Sequence, residues 1–447
     1  MSWRFQVCRI EWTAAGETVT CIDVGSHVYD YFPASPALRV DSTQGRRRGS
    51  MPLGHSALNV MESVRVGFSP AAFWNGVRAL ESAFERALLW AESDRRDMRV
   101  VLRFRDLARH ADWFEAPLYN GSITLDRGSH IGVSWERGPY WTGAETLLKV
   151  RNNWTQYGGD VTPDGNGFAD YAQVTNADDD NPSHCNWVVV EAPEGDVPAP
   201  ARIRVQNNYD GDRLRTIYMG WNDRPQAMTL EGEDSETDIS IHPNTAYSNQ
   251  AYAVGDAFLW EMPQNAIRDF TGPFRVLANG DLSDGTWRVA SGHELTRMQY
   301  GSRSAVTGAN GWTDLGILSF PPGGYVHPVR YPVRVWLDGL ADGSLDYLLL
   351  IPQRQSRTLQ FRYYNCAQGA CVEDDGWREE LVYDFGGERL PIIDGFGDPV
   401  QLWPENLLPG DQEQMLTFAL GDDRENAHAF RTGVVQVFAR PHYRTLP

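Results

Sequence analysis

A mainly β fold, opened by one α+β domain, is what this 447-residue sequence predicts. Three observations carry that expectation. Apolar and polar residues alternate at a period of two in many short runs, the pattern of half-buried strands. Beyond Glu145, turn signals such as Asp-Gly, Asn-Gly, Gly-Gly and Pro-Pro recur roughly every eight to twelve residues, as in β-sandwiches and jelly rolls. One stretch only, in the first hundred residues, holds a convincing helical period. The chain is also too long for a single core, so two or three domains are expected.

The first domain is built in order. Residues 3–35 read as a β-meander with a turn at Ala14-Ala15-Gly16, and "DSTQGRRRGSMPLGHS", residues 41–56, reads as a polar loop. Val60, Glu62, Val64, Val66 and Phe68 fall on one side of a strand. Ser69 is a natural N-cap with Pro70 at the first helical position. Phe73, Val77, Leu80, Phe84, Leu88 and Ala91 then form an apolar stripe at spacings of three and four. Val100, Leu102 and Phe104 point inward from the next strand, and "WFEAPLYNGSITL" follows. In "HIGVSWERGPYWTGAE" the alternation of Ile131, Val133 and Trp135 is stopped by Gly138-Pro139, because proline has no N–H for the ladder. Tyr140 and Trp141 come at once after it, either packing at a domain junction or filling a local core. Together these elements make a sheet with one amphipathic helix on it.

Charge narrows the function. The first 145 residues are neutral overall, so the formal net charge of −19 falls on the remainder. That excess argues against wrapping nucleic acid, which needs clustered cations. It fits an assembly component or a site for cations or neutral polar ligands. No run of eighteen apolar residues is present, and the start lacks the apolar core of a signal peptide, so neither membrane insertion nor ordinary export is expected. Lys149 is the single lysine, read as genome composition and not as chemistry. The five cysteines are too scattered for a disulfide scaffold; Cys366 and Cys371 would close a hairpin, hold half a zinc site, or stay free. Catalytic signatures are missing: no Gly-x-Ser-x-Gly, no phosphate-binding loop, no dinucleotide fingerprint. "SGHELTRM" starts like a zinc-protease motif without its second histidine. The protein is therefore expected not to be an enzyme.

With those segments in place, the first domain resembles the ring-forming domain of siphophage distal tail proteins, the hub at the tail tip. The resemblance covers about 145 residues and rests on the order of meander, loop, strand, helix and strand pair ending in "GPYWTG". Residues 228–352 resemble a jelly-roll carbohydrate-binding module, through "MTLEGEDSE", "GWTDLGILSF" and "GSLDYLLLIP" in that order. Residues 146–227 and 353–447 would then form one β-sandwich split by the insertion. The resemblance implies a virion tail protein that forms a hexameric ring, meets the tail tube and tail-tip hub proteins, and carries a module for host-surface glycans. A carbohydrate-active enzyme with an accessory module, or a tail fibre or adhesin, is the alternative.

Site residues follow. Glu231 and Glu233 share one strand face, and the resemblance brings Asp346 beside them; matching positions in such modules bind structural Ca²⁺, a hard ion that takes oxygen ligands. A solvated acidic edge is the other reading. "NADDDNPSH", residues 176–184, lacks the register of a calcium loop and reads as a solvated loop. Trp312, beside Asn310-Gly311, and Tyr325, in "PPGGYVHP", lie next to turns and are the glycan-stacking candidates, whereas most aromatics of the insert are expected in its core. Arg46, Arg47 and Arg48 read equally as a solvated charge run or as a subunit contact reaching acids on a neighbour.

Overall fold

A computed structural model describes residues 7–14, 17–23, 28–29, 38–44, 50–93, 99–105, 113–125, 130–152, 168–176, 186–208, 214–222, 229–237, 240–242, 250–254, 258–261, 272–282, 287–293, 296–304, 312–320, 333–339, 342–352, 355–360, 366–378, 380–391, 394–408, 413–421 and 432–444. The fold is mainly β, as expected, with one α-helix among the described residues. The chain forms two compact units: Met1–Glu145 with Glu194–Pro198 and Arg440–Pro447, and Thr146–Pro193 with Ala199–Ala439.

The first unit contains β1 (Val7–Ala14), β2 (Glu17–Asp23), β3 (Val28–Tyr29), β4 (Leu38–Gln44), β5 (Ser50–Ala57), β6 (Val60–Gly67), α1 (Phe73–Ser93), β7 (Val100–Arg105), β8 (Phe114–Leu125), β9 (His130–Arg137) and β10 (Trp141–Thr142). Its main sheet runs β2-β1-β7-β8-β9-β6-β3, every neighbouring pair antiparallel. The expected loop over 41–56 is instead mostly a hairpin, β4 against β5. The sequence there carries no sustained apolar alternation, so a ladder made by backbone pairing could not be read from it. On β6 and β7 the alternating residues named above are buried as read.

Helix α1 lays Val77, Leu80, Ala83, Phe84 and Ala87 on the sheet, while Phe73 is half-buried. Leu88 and Ala91, expected in that stripe, are exposed. The helix docks where a register shift in β8, between Leu118 and Asn120, turns Tyr119 and Gly121 toward it. Trp90 stacks on Tyr119 with ring centroids 5.4 Å apart, and the Phe84 ring fills the space a side chain at 121 would need. The buried line therefore passes through the alanines, and Leu88 is left on the outer side.

The second unit holds two sandwiches. In the first, one sheet contains Thr146–Leu148, Thr432–Ala439, Ala199–Asn207, Cys371–Asp375, Glu380–Phe385 and Glu388–Pro391 in that order. The facing sheet runs Val150–Arg151, Trp187–Val190, Gln414–Gly421, Thr216–Asn222, Ser356–Gln360 and Asp394–Phe396. Their shared core includes Val188, Ile203, Ile217, Val372, Phe418 and Val437. The strands Ala199–Asn207 and Thr432–Ala439 pair with each other from Ala201↔Ala439 to Asn207↔Gly433.

The second sandwich lies within residues 229–352. Its sheets are Ser240–His242, Gln250–Val254, Asp342–Pro352, Gly272–Asp281 and Trp312–Phe320, and Phe258–Glu261, Val333–Gly339, Trp287–His293 and Thr296–Ser304. A small apolar cluster joins the two sandwiches: Tyr218 and Ala419 from one, Leu277, Tyr347, Leu349 and Ile351 from the other.

Candidate functional site

The segment "WERGPYWTG" closes the first unit by burying charge. Glu62 stands on the core face of β6, opposite Trp135 of β9. A lone carboxylate there would be costly. Arg137, from the same face of β9, answers it: Nε and Nη2 donate to Glu62 Oε1 at 3.1 and 2.9 Å. Trp135 Nε1 donates to Oε2 at 2.8 Å. Arg137 Nη1 donates to the Gly138 carbonyl at 2.9 Å, and the guanidinium lies 4.5 Å from the centre of the Trp141 ring. Trp141 is itself fully buried in the core of this unit, which decides between the two readings of Tyr140-Trp141 for that residue.

After Pro139 the chain makes the short strand β10, which takes a partner from the other end of the sequence. Trp141 and Thr142 pair with Tyr443 and His442. The Gly143 N–H donates to the Pro441 carbonyl at 2.8 Å, and Arg440 reaches Glu115 of β8 at 3.0 Å. On its other side His442 bridges Gly195 and Val197, with Asp196 N donating to its carbonyl at 2.9 Å. Gly195 has φ +124°, and a Cβ there would press on the His442 backbone. The last residues thus complete the first unit; the sequence assigned them to the split sandwich, because a two-residue strand has no readable period. Burial, with Arg440 and Arg99 nearby, lowers the His442 imidazole to about 4, and the Tyr140 ring stacks on it at 5.9 Å.

The candidate calcium residues are neighbours along the backbone. Glu231 pairs in register with Tyr347, and the Gly232 N–H, between the two glutamates, donates to the Asp346 carbonyl at 2.7 Å. Two of their oxygens accept from protein donors: the Glu231 carbonyl from Trp260 Nε1 at 2.6 Å, and Asp346 Oδ2 from Asn279 Nδ2 at 3.3 Å. Among the described residues no three His, Cys, Asp or Glu side chains come together in a group able to hold a metal ion. As they stand, Glu231, Glu233 and Asp346 do not form the three-carboxylate set that the resemblance implies.

Of the glycan candidates, Trp312 opens the strand Trp312–Phe320, its backbone opposite Asn279. Its side chain, Tyr325, Arg46, Arg47, Arg48 and the run 177–184 lie outside the described residues. Trp260, Trp287 and Trp336 are buried. Cys366 and Cys371 are both buried free thiols, and Arg204 Nη2 lies 3.2 Å from Cys371 Sγ. Burial pushes the Cys371 thiol up, against the lowering influence of Arg204. No described helix is long and apolar enough to cross a membrane. Sequence reasoning missed the pairing of Glu62 with Arg137; its only trace was a glutamate on an otherwise apolar strand face.

No family model matches the sequence, and no curated protein aligns with it. Among solved structures, the chain is similar to the Dit protein of phage SPP1, described as a paradigm of the hub adsorption apparatus in phages that infect Gram-positive hosts. Identity is 8%, coverage 97% of this chain and 98% of that one, and the TM-score 0.31. The baseplate of phage p2 in its activated conformation with Sr is matched at 8% identity over 96% and 97% of the two chains, with a TM-score of 0.24. Likeness at that level does not carry function from one chain to another.

Proposed function

We propose that the protein is a structural component of a long-tailed phage virion: the distal tail hub, a six-fold ring that joins the tail tube to the tail-tip proteins. Residues 1–145 build the ring, and residues 228–352 form a peripheral module that binds host-surface glycans through Trp312 and Tyr325. The observation that supports this best is the order of elements in the first unit. A sheet carrying one helix, closed by a strand that runs into "GPYWTG", is the pattern on which the resemblance to distal tail proteins rests. The neutral first domain fits packing between copies, since no net charge opposes it.

Electron microscopy of the full-length protein, alone and mixed with the tail tube protein of the same phage, tests the proposal. Six-fold rings that cap tube ends are expected. A protein that stays monomeric, ignores the tube and releases reducing sugar from polysaccharides would replace this proposal with the enzyme alternative. For the module, binding to a panel of host wall polysaccharides should be lost in Trp312→Ala or Tyr325→Ala.

A further inference from the structure

We propose that the first unit checks the completeness of its own chain. It closes only when residues 440–444, made after the whole second unit, have docked, and truncated chains are thereby kept out of the ring. The exclusion rests on the ring proposed above, whereas the closure does not. The first unit begins with Met1–Glu145 but also draws Glu194–Pro198 and Arg440–Pro447 from farther along the chain. Between those two pieces runs most of the second unit, Ala199–Ala439.

The later segment supplies structure that Met1–Glu145 lacks. β10 meets β8 in one pair, Thr142↔Glu115, and meets the later segment in two, Trp141↔Tyr443 and Thr142↔His442. Trp141 and Thr142 are both fully buried. The Tyr443 ring stands edge-on to Phe114 at 5.6 Å, on the margin of the core. Arg440 ends a row of alternating charges that crosses the sheet: Glu11, Arg103, Glu115 and Arg440, in successive contact at 2.9, 3.3 and 3.0 Å. Without it, two sheltered acids share one arginine. Residues 194–198 hold the other side, where Asp196 Oδ1 accepts from the Arg444 N–H at 2.8 Å.

Domains ordinarily fold in order of synthesis, the N-terminal one first. This first unit cannot finish in that order. Before residues 440–444 arrive, the β10 backbone lacks one of its two partners, and Phe114 and Glu115 lack their cover. Unpaired backbone and uncompensated charge are costly to bury, so the edge stays open. A chain that stops within the second unit therefore carries an open first unit. Ring contacts use two different faces of every copy, and an unfinished unit does not offer both intact. A segment that merely rests on an already finished domain would predict no such dependence.

Hydrogen exchange of the full chain, compared with a chain ending at Ala439, tests the closure. Amides of β8 and β10 should lose protection by about tenfold or more, because local opening sets their exchange. Strands of the second unit, such as Ala199–Asn207 and Gln414–Gly421, should keep theirs. Should the shortened chain not be recovered, full-length protein carrying Arg440→Ala with Tyr443→Ala serves the same comparison. Unchanged protection in β8 and β10, or equal loss through both units, would overturn the closure. For the exclusion, shortened chains co-expressed with intact ones should be absent from six-fold rings by native mass spectrometry. Their entry in proportion to expression would overturn it. A wild-type protein that makes no ring even with tail tube present would overturn the exclusion together with the ring, and the exchange result would still decide the closure.

Discussion

Arg137 and Glu62, 75 residues apart in the chain, meet as a buried ion pair with Nη2 2.9 Å from Oε1 and side-chain exposures of 0% and 3%. Two further donors complete it, Trp135 Nε1 on the second carboxylate oxygen and Arg137 Nη1 on the Gly138 carbonyl. A pair this dry costs much in desolvation, so it is a poor source of net stability but very sensitive to the loss of one partner.

Arg137→Met should therefore destabilise the protein by about 3–5 kcal/mol, since it strands the Glu62 carboxylate in the core. Combining it with Glu62→Leu should recover most of the loss. Urea denaturation of the two single variants and the double variant measures this; equal, additive losses would show that the two side chains do not depend on each other.

Phe84 and Leu88 of α1 should behave differently. Phe84→Ala opens a cavity over Gly121 and should cost about 3–5 kcal/mol. Leu88→Ala, on the exposed side, should stay within about 0.5 kcal/mol in the isolated protein. Gly121→Ala should also destabilise, because its methyl group would enter the Phe84 ring. Denaturant midpoints of the three variants test the side of the helix that faces the sheet.

Acid should loosen the C-terminal strand. His442 has a folded value of about 4 against an ordinary 6.5, so the fold holds it neutral. Its contribution is complete above pH 6.5 and is lost as pH falls from there through about 4, by on the order of 3 kcal/mol in total. Hydrogen exchange of the amides in Trp141–Thr142 and His442–Tyr443, corrected for intrinsic rates, should show protection falling over that window. In His442→Gln the fall should be much shallower. The same slope in both proteins would assign the acid sensitivity to other groups.

Calcium provides a fourth test. Since no three acidic side chains gather there among the described residues, millimolar Ca²⁺ should leave the melting temperature of the full chain where EDTA leaves it. An upward shift that Asp346→Asn abolishes would mean that the three carboxylates gather around the ion when it binds, as the resemblance implies, since a ligand specific to the folded form stabilises it.

Much of the fold was legible in the sequence because burial on one face of a strand imposes a period of two. Val60 to Phe68, Val100 to Phe104 and Ile131 to Trp135 were all placed by that rule. The helix was legible from its stripe, except at Leu88 and Ala91, where the helix's seat on the shifted β8 chose Ala83 and Ala87 instead; its start, read at Ser69-Pro70, lies at Phe73, after a turn closed by the Ser69 carbonyl and Ala72 N–H. Glu62 on an apolar face was visible, but not its partner, because Arg137 arrives through strand pairing 75 residues later. Nor does His442–Tyr443 announce its pairing with Trp141–Thr142: two residues carry no period, and only chain closure brings them together. Local patterning therefore determined which segments are strands and which faces are apolar. The tertiary structure alone decided which strands meet and which charges are neutralised.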